Sequence, residues 1–444
     1  MNPFKYLNSL SLFGSGEGYK PGLERVEYLL EYLGNPQKNL NIIHIAGTNG
    51  KGSTAAIIER IYREAGYRTA LYTSPHFFHF NERIKIKGRA CSTAEISDIL
   101  SEIKKAADLM KKEKNMEVTY FEVVTALAFK YFKREEAELV ILETGLGGRL
   151  DATNIVKSTL ISIITSISLE HSNILGKSIE KIAAEKAGII KDNSKVITAV
   201  KDKKALNVIN KKAEAKSSQF INLDEEYEII KTKGDLRDNH IELKRTEKNS
   251  RNYSLSLKGR HQARNFALAL RTVAELQYSF PVTESEIKRA ANDIYWPGRM
   301  QQISDKPLFL LDVAHNPAAF EEILAVIGDS ILEFKNFHVI FSLLKDKDLS
   351  SILDKFSLYS LKPKFYLAEN SSFRTIKLQK LKREVEKNNF EYESFSNLAA
   401  ASRSAYNNAE KEDLILAAGS FNTVFEAGVE FFSKNIRGGK DEKK

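Results

Sequence analysis

Short apolar runs alternate with helical spacing through the first half of this chain of 444 residues. The interiors of five runs are apolar without alternation, which is typical of strands buried on both faces of a parallel sheet. These predicted strands are Ile42–Ala46, Thr69–Tyr72, Leu139–Glu143, Leu160–Thr165 and Lys195–Val200. Helical spacing predicts helices at Pro21–Leu33, Ser53–Ala65, Ser92–Lys112, Thr119–Phe132 and Ser178–Ile190. We therefore expect an α/β fold with a parallel sheet.

The second half of the chain changes pattern twice. Glu226–Lys244 and Tyr253–Lys258 alternate apolar and polar residues, which predicts a small antiparallel sheet, and a helix follows at His261–Gln277. A turn dipeptide, Pro297-Gly298, then interrupts the pattern before further strand and helix patterns. We predict an N-terminal domain over 1–297, a smaller C-terminal Rossmann-like α/β domain over 298–436 and a solvated tail over 437–444.

Composition narrows the function classes. With 42% hydrophobic and 28% charged residues, the chain is typical of a soluble globular enzyme. No apolar run approaches the roughly 20 residues that span a bilayer, and the first residues do not resemble a signal peptide. The single cysteine, Cys91, excludes an internal disulfide and cysteine metal clusters. The net charge of +9 is spread through the chain without a nucleic-acid motif. We expect a cytoplasmic monomer without a membrane or nucleic-acid partner.

The most informative segment follows the first predicted strand. Glycines over Gly47–Ser53 would let backbone N–H groups surround phosphate oxygens, with Lys51 and the start of a helix adding positive charge. The match to the usual phosphate loop is imperfect, because Gly52 stands where Ser or Thr should follow the lysine and Ile45 replaces the first glycine. The alternative is an ordinary glycine-rich turn. We predict an N-terminal P-loop domain that binds a nucleotide.

Polar side chains follow the other predicted strands of the sheet. Ligands of open parallel sheets lie beyond the carboxyl ends of the strands, so these side chains should meet at one edge. Hydroxyls, a carboxylate and one imidazole beside phosphates suit Mg²⁺. The residues collected there are Lys51, Ser53, Ser74, Glu143 and His171. The alternatives are a capping or core role for His171 and a structural role for Glu143.

Two further features allow two interpretations each. Thr119–Glu122 precedes an apolar helix with the spacing of a capping box, and spacing alone favours this structural role. Lys186 shares the buried face of its predicted helix with Ile179, Ile182 and Ala183, so it needs a partner or a modification. The alternative for Lys186 is a side chain that snorkels to the helix edge.

Several motifs in order carry a resemblance to a known family. They are Lys20–Arg25, Gly34–Gln37, Gly47–Ser53, Ser74–His76, Asn81–Ile84, Gly145–Asn154, Glu185–Ile190 and Leu311–Pro317. In these motifs the chain resembles the folylpolyglutamate synthase/dihydrofolate synthase family, a branch of the Mur-type ligases, over nearly its whole length. One departure is Glu170 before His171, where many members have aspartate.

The resemblance implies a reaction and a set of site residues. A substrate carboxylate would attack ATP to give an acyl phosphate, and L-glutamate would then form an amide with a folate or with dihydropteroate. Mg²⁺ would be bound by Ser53, Ser74, Glu143 and His171, and Lys186 would carry a carbamate. Lys51, Lys186 and His315 would act in catalysis. ATP would be bound by Gly47, Thr48, Asn49, Gly50, Lys51, Gly52, Ser53, Asn265, Arg299 and Asp312. The pterin-bearing substrate would contact Thr119, Tyr120, Phe121, Glu122, Leu150, Asp151 and Ala152.

Two other functions remain open from the sequence. A peptidoglycan-type ligase of the same superfamily would carry its phosphate loop further into the chain, and the roughly 40 residues that precede the loop here argue against it. A P-loop ATPase without ligase activity would hydrolyse ATP independently of glutamate. The sequence leaves undetermined whether dihydropteroate, folates or both are substrates, and how long the product chain becomes.

Overall fold

The structure is a computed structural model that describes residues 3–11, 22–234, 236, 239–245 and 249–438. Its helices are α1 Pro3–Ser9, α2 Glu24–Tyr32, α3 Lys51–Glu64, α4 Thr93–Lys114, α5 Tyr120–Arg134, α6 Ser172–Leu175, α7 Ile179–Ala187, α8 Lys203–Ala215, α9 Leu223–Glu226, α10 Arg260–Leu276, α11 Glu284–Asn292, α12 Pro317–Ser330, α13 Leu349–Leu358, α14 Leu378–Lys387, α15 Leu398–Asn408 and α16 Phe421–Gly438. Its strands are β1 Ile42–Ala46, β2 Thr69–Tyr72, β3 Ile84–Ile86, β4 Arg89–Ala90, β5 Leu139–Glu143, β6 Ile161–Ile164, β7 Lys195–Thr198, β8 Gln219–Asn222, β9 Tyr227–Gly234, β10 Asn239–Arg245, β11 Arg251–Ser254, β12 Gln301–Asp305, β13 Leu308–Asp312, β14 Phe337–Phe341, β15 Lys364–Leu367, β16 Tyr392–Ser394 and β17 Leu414–Ala418.

The described residues form two compact units. The first comprises Met1–Ile230, Leu243–Tyr253 and Arg264–Ile294. The second comprises Lys231–Glu242, Ser254–Ala263 and Tyr295–Lys444. Among the described residues, none of the helices combines the length and apolar character that crossing a bilayer requires.

A mainly parallel sheet organises the first unit. In the described chain its strand order is β4-β3-β2-β5-β1-β6-β7-β8, with β3 and β4 antiparallel at one edge. Strands β1 and β5 are buried at every position and pair in parallel, as their uninterrupted apolar character predicts. Helix α3 packs against β1, β2 and β5, and helices α2, α4 and α5 share a core with β2 and β5. The parallel-sheet prediction is confirmed.

The second unit is a smaller α/β structure. Its described strands form a sheet of order β12-β13-β17-β14-β15-β16, in which only the β12–β13 pair is antiparallel. Phe320, Phe341, Phe356 and Phe365 fill its core.

A separate three-stranded sheet of order β11-β10-β9 is the small antiparallel sheet that the alternating pattern predicts.

The structure differs from the predicted elements in particular places. Tyr253–Lys258 is not a strand throughout, because β11 ends at Ser254. The Asn239 side-chain amide donates to the carbonyls of Leu257 and Gly259, which satisfies this backbone without a strand partner. Strands β3 and β4 were not predicted, since they are short, and β8 was not predicted, since its residues are of mixed polarity. Helix α16 runs to Gly438, and the remainder of the predicted tail lies outside the described residues, as do Lys20 and Pro21 of the first motif.

Candidate active site

The predicted phosphate loop joins β1 to α3. Gly50 caps the helix with a left-handed φ of 86°, a conformation that a residue with a side chain adopts only with strain. The backbone N–H of Thr48 donates to the carbonyl of Ser166 at 2.8 Å, which ties the loop to the end of β6. Lys51 Nζ donates to the carbonyl oxygens of Gly47 and Thr48 at 3.0 and 3.2 Å. The loop is therefore a fixed turn with a cation folded over it.

Ser74 and Glu143 meet at the same edge of the sheet. Strands β2 and β5 pair in parallel, so the residues that follow them become neighbours. The backbone N–H of Ser74 donates to Glu143 Oε2 at 3.2 Å, and the Glu143 side chain is buried. Ser53 is also buried, in the first turn of α3. The expectation that these two strand ends converge is confirmed, whereas their binding of metal stays a prediction.

His171 occupies a turn rather than the core. It has a left-handed φ of 50° and stands at the N-cap of α6 without a side-chain capping bond. Its Nε2 lies 3.6 Å from Glu170 Oε1. Within the described ranges, no group of three or more His, Cys, Asp or Glu side chains is arranged as a metal site. A cation here would take its remaining ligands from hydroxyls and phosphate oxygens, the donors that Mg²⁺ prefers.

Lys186 is buried beside the phosphate loop. Its side chain is only 4% exposed, and Nζ donates to the carbonyl of Gly47 at 2.7 Å. The snorkelling alternative is therefore wrong. Burial, and then the charge of Lys51, lower the Lys186 pKa to about 7. A large fraction of this amine is neutral at physiological pH, which is the form that reacts with CO₂.

The Thr119–Glu122 segment is a capping box, as its spacing predicts. Thr119 Oγ1 accepts from the backbone N–H of Glu122, whose carboxylate accepts in turn from the N–H of Thr119. The same carboxylate pairs with Arg25 at 2.8 Å. The Phe121 ring lies directly over the Cα of Gly145, where a side chain would collide with it. The segment predicted to contact substrate is thus fixed by its own structural contacts.

Asp151 is buried in the loop after β5. Its Oδ2 accepts from the N–H of Leu146 at 2.8 Å, and its Oδ1 accepts from the hydroxyl of Thr153 at 2.6 Å. Burial raises the Asp151 pKa, and these hydrogen bonds oppose that change. Ala152 is also buried, whereas Leu150 is half-buried. The carboxylate therefore organises the loop in which the resemblance places a substrate contact.

Several residues that hold this region together, among them His44, Asn154 and Lys191, were not selected from the sequence as site residues. His44 Nε2 lies 2.8 Å from Thr153 Oγ1, and Asn154 Nδ2 donates to the carbonyls of Arg149 and Gly188. Lys191 Nζ donates to Asn154 Oδ1 at 2.7 Å. These contacts hold the loop to β1 and to the end of the helix that carries Lys186. A histidine inside the apolar run of β1 was the one sequence signal that could have indicated this anchor.

His76 lies two residues beyond Ser74, in the turn after β2. Its Nδ1 accepts a hydrogen bond from Arg83 Nε at 2.8 Å. Burial and the Arg83 charge lower the His76 pKa to about 4. The imidazole is therefore neutral at physiological pH and acts as a hydrogen-bond acceptor.

Asn265, the predicted ATP-binding residue in α10, also reaches the phosphate loop. Asn265 is buried, and its side-chain amide packs against Gly50 so closely that a Cβ at Gly50 would lie 2.5 Å from Asn265 Oδ1. This contact brings together two residues that are 215 positions apart in the sequence, from 50 to 265. The resemblance gives both a role in ATP binding.

In the second unit, Arg299 and Asp312 lie close together. Asp312 ends β13 and accepts from the N–H groups of Met300 and Ala314 at 2.9 and 2.8 Å. Burial raises its pKa, and the Arg299 charge opposes this change. His315 Nδ1 lies 2.9 Å from the carbonyl of Val313. The second unit therefore presents a buried carboxylate and a guanidinium at the end of a strand.

His261 was not selected from the sequence but belongs to this cluster. Its Nδ1 and Arg299 Nε are both buried and have no hydrogen-bond partner in the described part of the chain. Burial, and then the Arg299 charge, lower the His261 pKa to about 4. Two unsatisfied buried polar atoms in one cluster are typical of a place where a ligand completes the hydrogen bonding.

Comparison with known families matches both parts of the chain. Residues 45–273 match the Mur ligase middle domain, and residues 298–421 match the Mur ligase glutamate ligase domain. The fold and the nucleotide-type loop thus define a Mur-type ligase.

Individual relatives show which branch of the Mur-type ligases this chain resembles. The dihydrofolate synthase/folylpolyglutamate synthase of Bacillus subtilis (strain 168) is 36% identical over 341 residues, 76% of this chain and 79% of that protein. The structure of Escherichia coli FolC in complex with DHPP and ADP has a TM-score of 0.85 at 30% identity, covering 98% of this chain and 99% of that one. Mycobacterium tuberculosis folylpolyglutamate synthase, complexed with ADP and AMPPCP, has a TM-score of 0.84 at 27% identity, covering 93% and 95%. The chain belongs to the dihydrofolate synthase/folylpolyglutamate synthase family.

Proposed function

We propose that this chain is an ATP-dependent ligase that joins L-glutamate to dihydropteroate, to a folate, or to both through an acyl phosphate. The observation that carries the proposal is that, in a chain from this family, Lys186 contacts the phosphate loop at Gly47, while Ser74 bonds to Glu143, which pairs with Ile45 near the end of β1. The substrate carboxylate attacks the γ-phosphorus of ATP and ADP leaves. The amine of L-glutamate then attacks the acyl carbon, phosphate leaves and the amine loses a proton.

The protein's contribution is positioning and charge. The N-terminus of α3 would direct its positive end at the phosphates, and Lys51 can swing from the loop carbonyls to a phosphate oxygen. We assign ATP binding to the loop, to Asn265 and, in the second unit, to Arg299 and Asp312, with His315 acting beside the phosphates. The substrate roles of Thr119–Glu122 and Leu150–Ala152 are part of the same proposal.

We further propose that Mg²⁺ is the cation of this site. Glu143, Ser53, Ser74 and His171 would hold it, and the buried carboxylate at the strand end beside the loop fits an oxygen-preferring cation. When bound, it would neutralise charge on the phosphates. A carbamate on Lys186 would convert a buried amine beside this site into an anion, which suits the same arrangement.

Other parts of the proposal concern the whole protein. We propose a cytoplasmic monomer, with an ATPase-type domain over 1–297 and a ligase domain over 298–436. The matched family regions, which end at 273 and begin at 298, support a boundary between those positions.

The test is a ligation assay with the purified protein. ADP release should require both L-glutamate and either dihydropteroate or a reduced folate, and mass spectrometry should detect the glutamylated product. Assaying each pteridine separately distinguishes the two activities. ATP hydrolysis that is independent of glutamate would instead favour a P-loop ATPase without ligase activity. Ligation of another amino acid or carboxylate would indicate a different Mur-type ligase.

A further inference from the structure

Arg83 is a buried cation without an ionic partner among the residues that the structure describes. Arg83 is 9% exposed, and its side chain forms no ion pair with any residue that the structure describes. Its one side-chain hydrogen bond in those ranges runs from Nε to His76 Nδ1, which accepts it. Burying a guanidinium costs free energy unless an anion compensates it. Among the described residues, Arg83 is therefore a largely buried positive charge with no carboxylate paired to it.

The adjacent carboxylate cannot serve as the missing anion. Glu82 accepts hydrogen bonds from the backbone N–H groups of Phe77, Phe78 and His79 at 2.7 to 2.8 Å. This carboxylate caps the turn before β3 and is committed to it. The charge of Arg83 is thus left available to a ligand.

The surroundings of Arg83 belong to the proposed substrate site. Its backbone carbonyl accepts from the N–H of Thr73, the residue before Ser74. Its guanidinium carbon lies 5.8 Å from the centroid of the Tyr120 ring. The ring of Phe80 packs edge-on against Tyr120 and against His76. A guanidinium among aromatic rings is the combination expected where an aromatic ligand carries an anionic group.

We propose that Arg83 binds a carboxylate of the substrates and that His76 orients its guanidinium for this contact. Hydrogen bonding of Nε to His76 leaves the two terminal nitrogens of the planar fork for a carboxylate. The proposal rests on the proposed function, which supplies two such groups: the benzoate of a pteroate-type substrate and the carboxylates of L-glutamate.

The test compares Arg83→Gln with Arg89→Gln. Arg89 is an exposed arginine on the neighbouring strand β4, so its variant controls for the loss of one positive charge. Steady-state KM is measured for dihydropteroate, L-glutamate and ATP. Thermal unfolding is followed without ligand, with pteroate alone and with L-glutamate alone.

We expect Arg83→Gln to raise the KM of one carboxylate substrate roughly 10- to 100-fold, the cost of a charged hydrogen-bonded contact, while the KM of ATP stays constant. The ligand whose KM rises identifies the source of the carboxylate, and that ligand alone should lose its effect on the unfolding temperature. Arg83→Lys keeps the charge but not the fork, so its KM should lie between those of Arg83→Gln and the wild type.

Three results would overturn this role. The KM values of Arg83→Gln could equal those of Arg89→Gln, only the KM of ATP could rise, or the unliganded unfolding temperature could fall with every KM unchanged. Absence of glutamate-dependent product with the wild-type protein is a separate outcome, since it would refute the proposed function itself.

Discussion

Replacing Lys186 tests whether this buried lysine beside the phosphate loop acts as a carbamate. The amine is buried 2.7 Å from the Gly47 carbonyl, and its pKa falls from 10.5 to about 7. This fall in the pKa means that the protein disfavours the ammonium form by about 5 kcal/mol of free energy. At about pH 7.5, roughly three-quarters of such amines are neutral, compared with about one in a thousand for an ordinary lysine. The structure therefore favours the form that combines with CO₂, which adds to the nitrogen while one proton leaves.

We expect Lys186→Gln to remain folded and to lose activity roughly 10- to 100-fold, the usual effect of removing a group that orients a metal site. Lys186→Ala should behave similarly and should be partly restored by short carboxylates such as formate or acetate. At a fixed bicarbonate concentration, carbamate occupancy should rise as pH rises through about 7, because only the neutral amine reacts.

Carbon-13-labelled bicarbonate and NMR give a direct measurement of the carbamate. The wild-type protein should show a labelled carbamate carbon that Lys186→Gln lacks. Lys181→Gln is the matched control, because Lys181 is exposed on the same helix. Full activity of Lys186→Gln would refute the reasoning, and so would an unlabelled wild-type protein at neutral pH.

The other predictions concern the metal, the nucleotide and the packing of the loop. Glu143→Ala should abolish ligation without unfolding the protein, because it removes the only carboxylate assigned to Mg²⁺, and His171→Ala should raise the Mg²⁺ requirement. Normal turnover of Glu143→Ala at ordinary Mg²⁺ would remove that assignment. Arg299→Ala should weaken ATP binding in calorimetry, and unaltered affinity would show that Arg299 does not bind the nucleotide. Gly148→Ala should lower the free energy of unfolding by roughly 1–3 kcal/mol, because its Cβ would lie 2.8 and 2.9 Å from two carbonyl oxygens of α7. Gly328→Ala is the control: it lies in a helix with its nearest neighbour at 3.6 Å, so it should stabilise by up to about 1 kcal/mol.

Elements with strong local patterns were the predictable ones. The run Ile42–Ala46 is a strand with the predicted bounds, since five apolar residues before a glycine turn indicate a buried strand. The capping boxes at Ser92 and Thr119 start α4 and α5 where the sequence indicates. By contrast, β8 is four residues long with mixed polarity, and it becomes a strand because β7 pairs with it. Short edge strands depend on a partner more than on their own pattern.

The residues of the candidate site also divide into those that a local pattern predicts and those that it does not. Glu143 and Lys186 could be selected locally, as a charge at the end of an apolar strand and a lysine on an apolar helix face. Arg83 could not, because a lone arginine in a mixed sequence carries no signal of burial. Its significance depends on what surrounds it in the fold, such as the ring of Tyr120, which comes from another part of the chain.

The sequence by itself determined the α/β class, the phosphate loop and the family, because apolar periodicity, glycine conformation and motif order are properties of the chain. Only the tertiary structure decided which residues meet. The strand order that places β5 between β2 and β1 puts Ser74 against Glu143, 69 residues away. The packing of α7 places Lys186 against Gly47, 139 residues away. Such contacts arise from burial shared among distant segments, so they are fixed only when the whole sheet assembles.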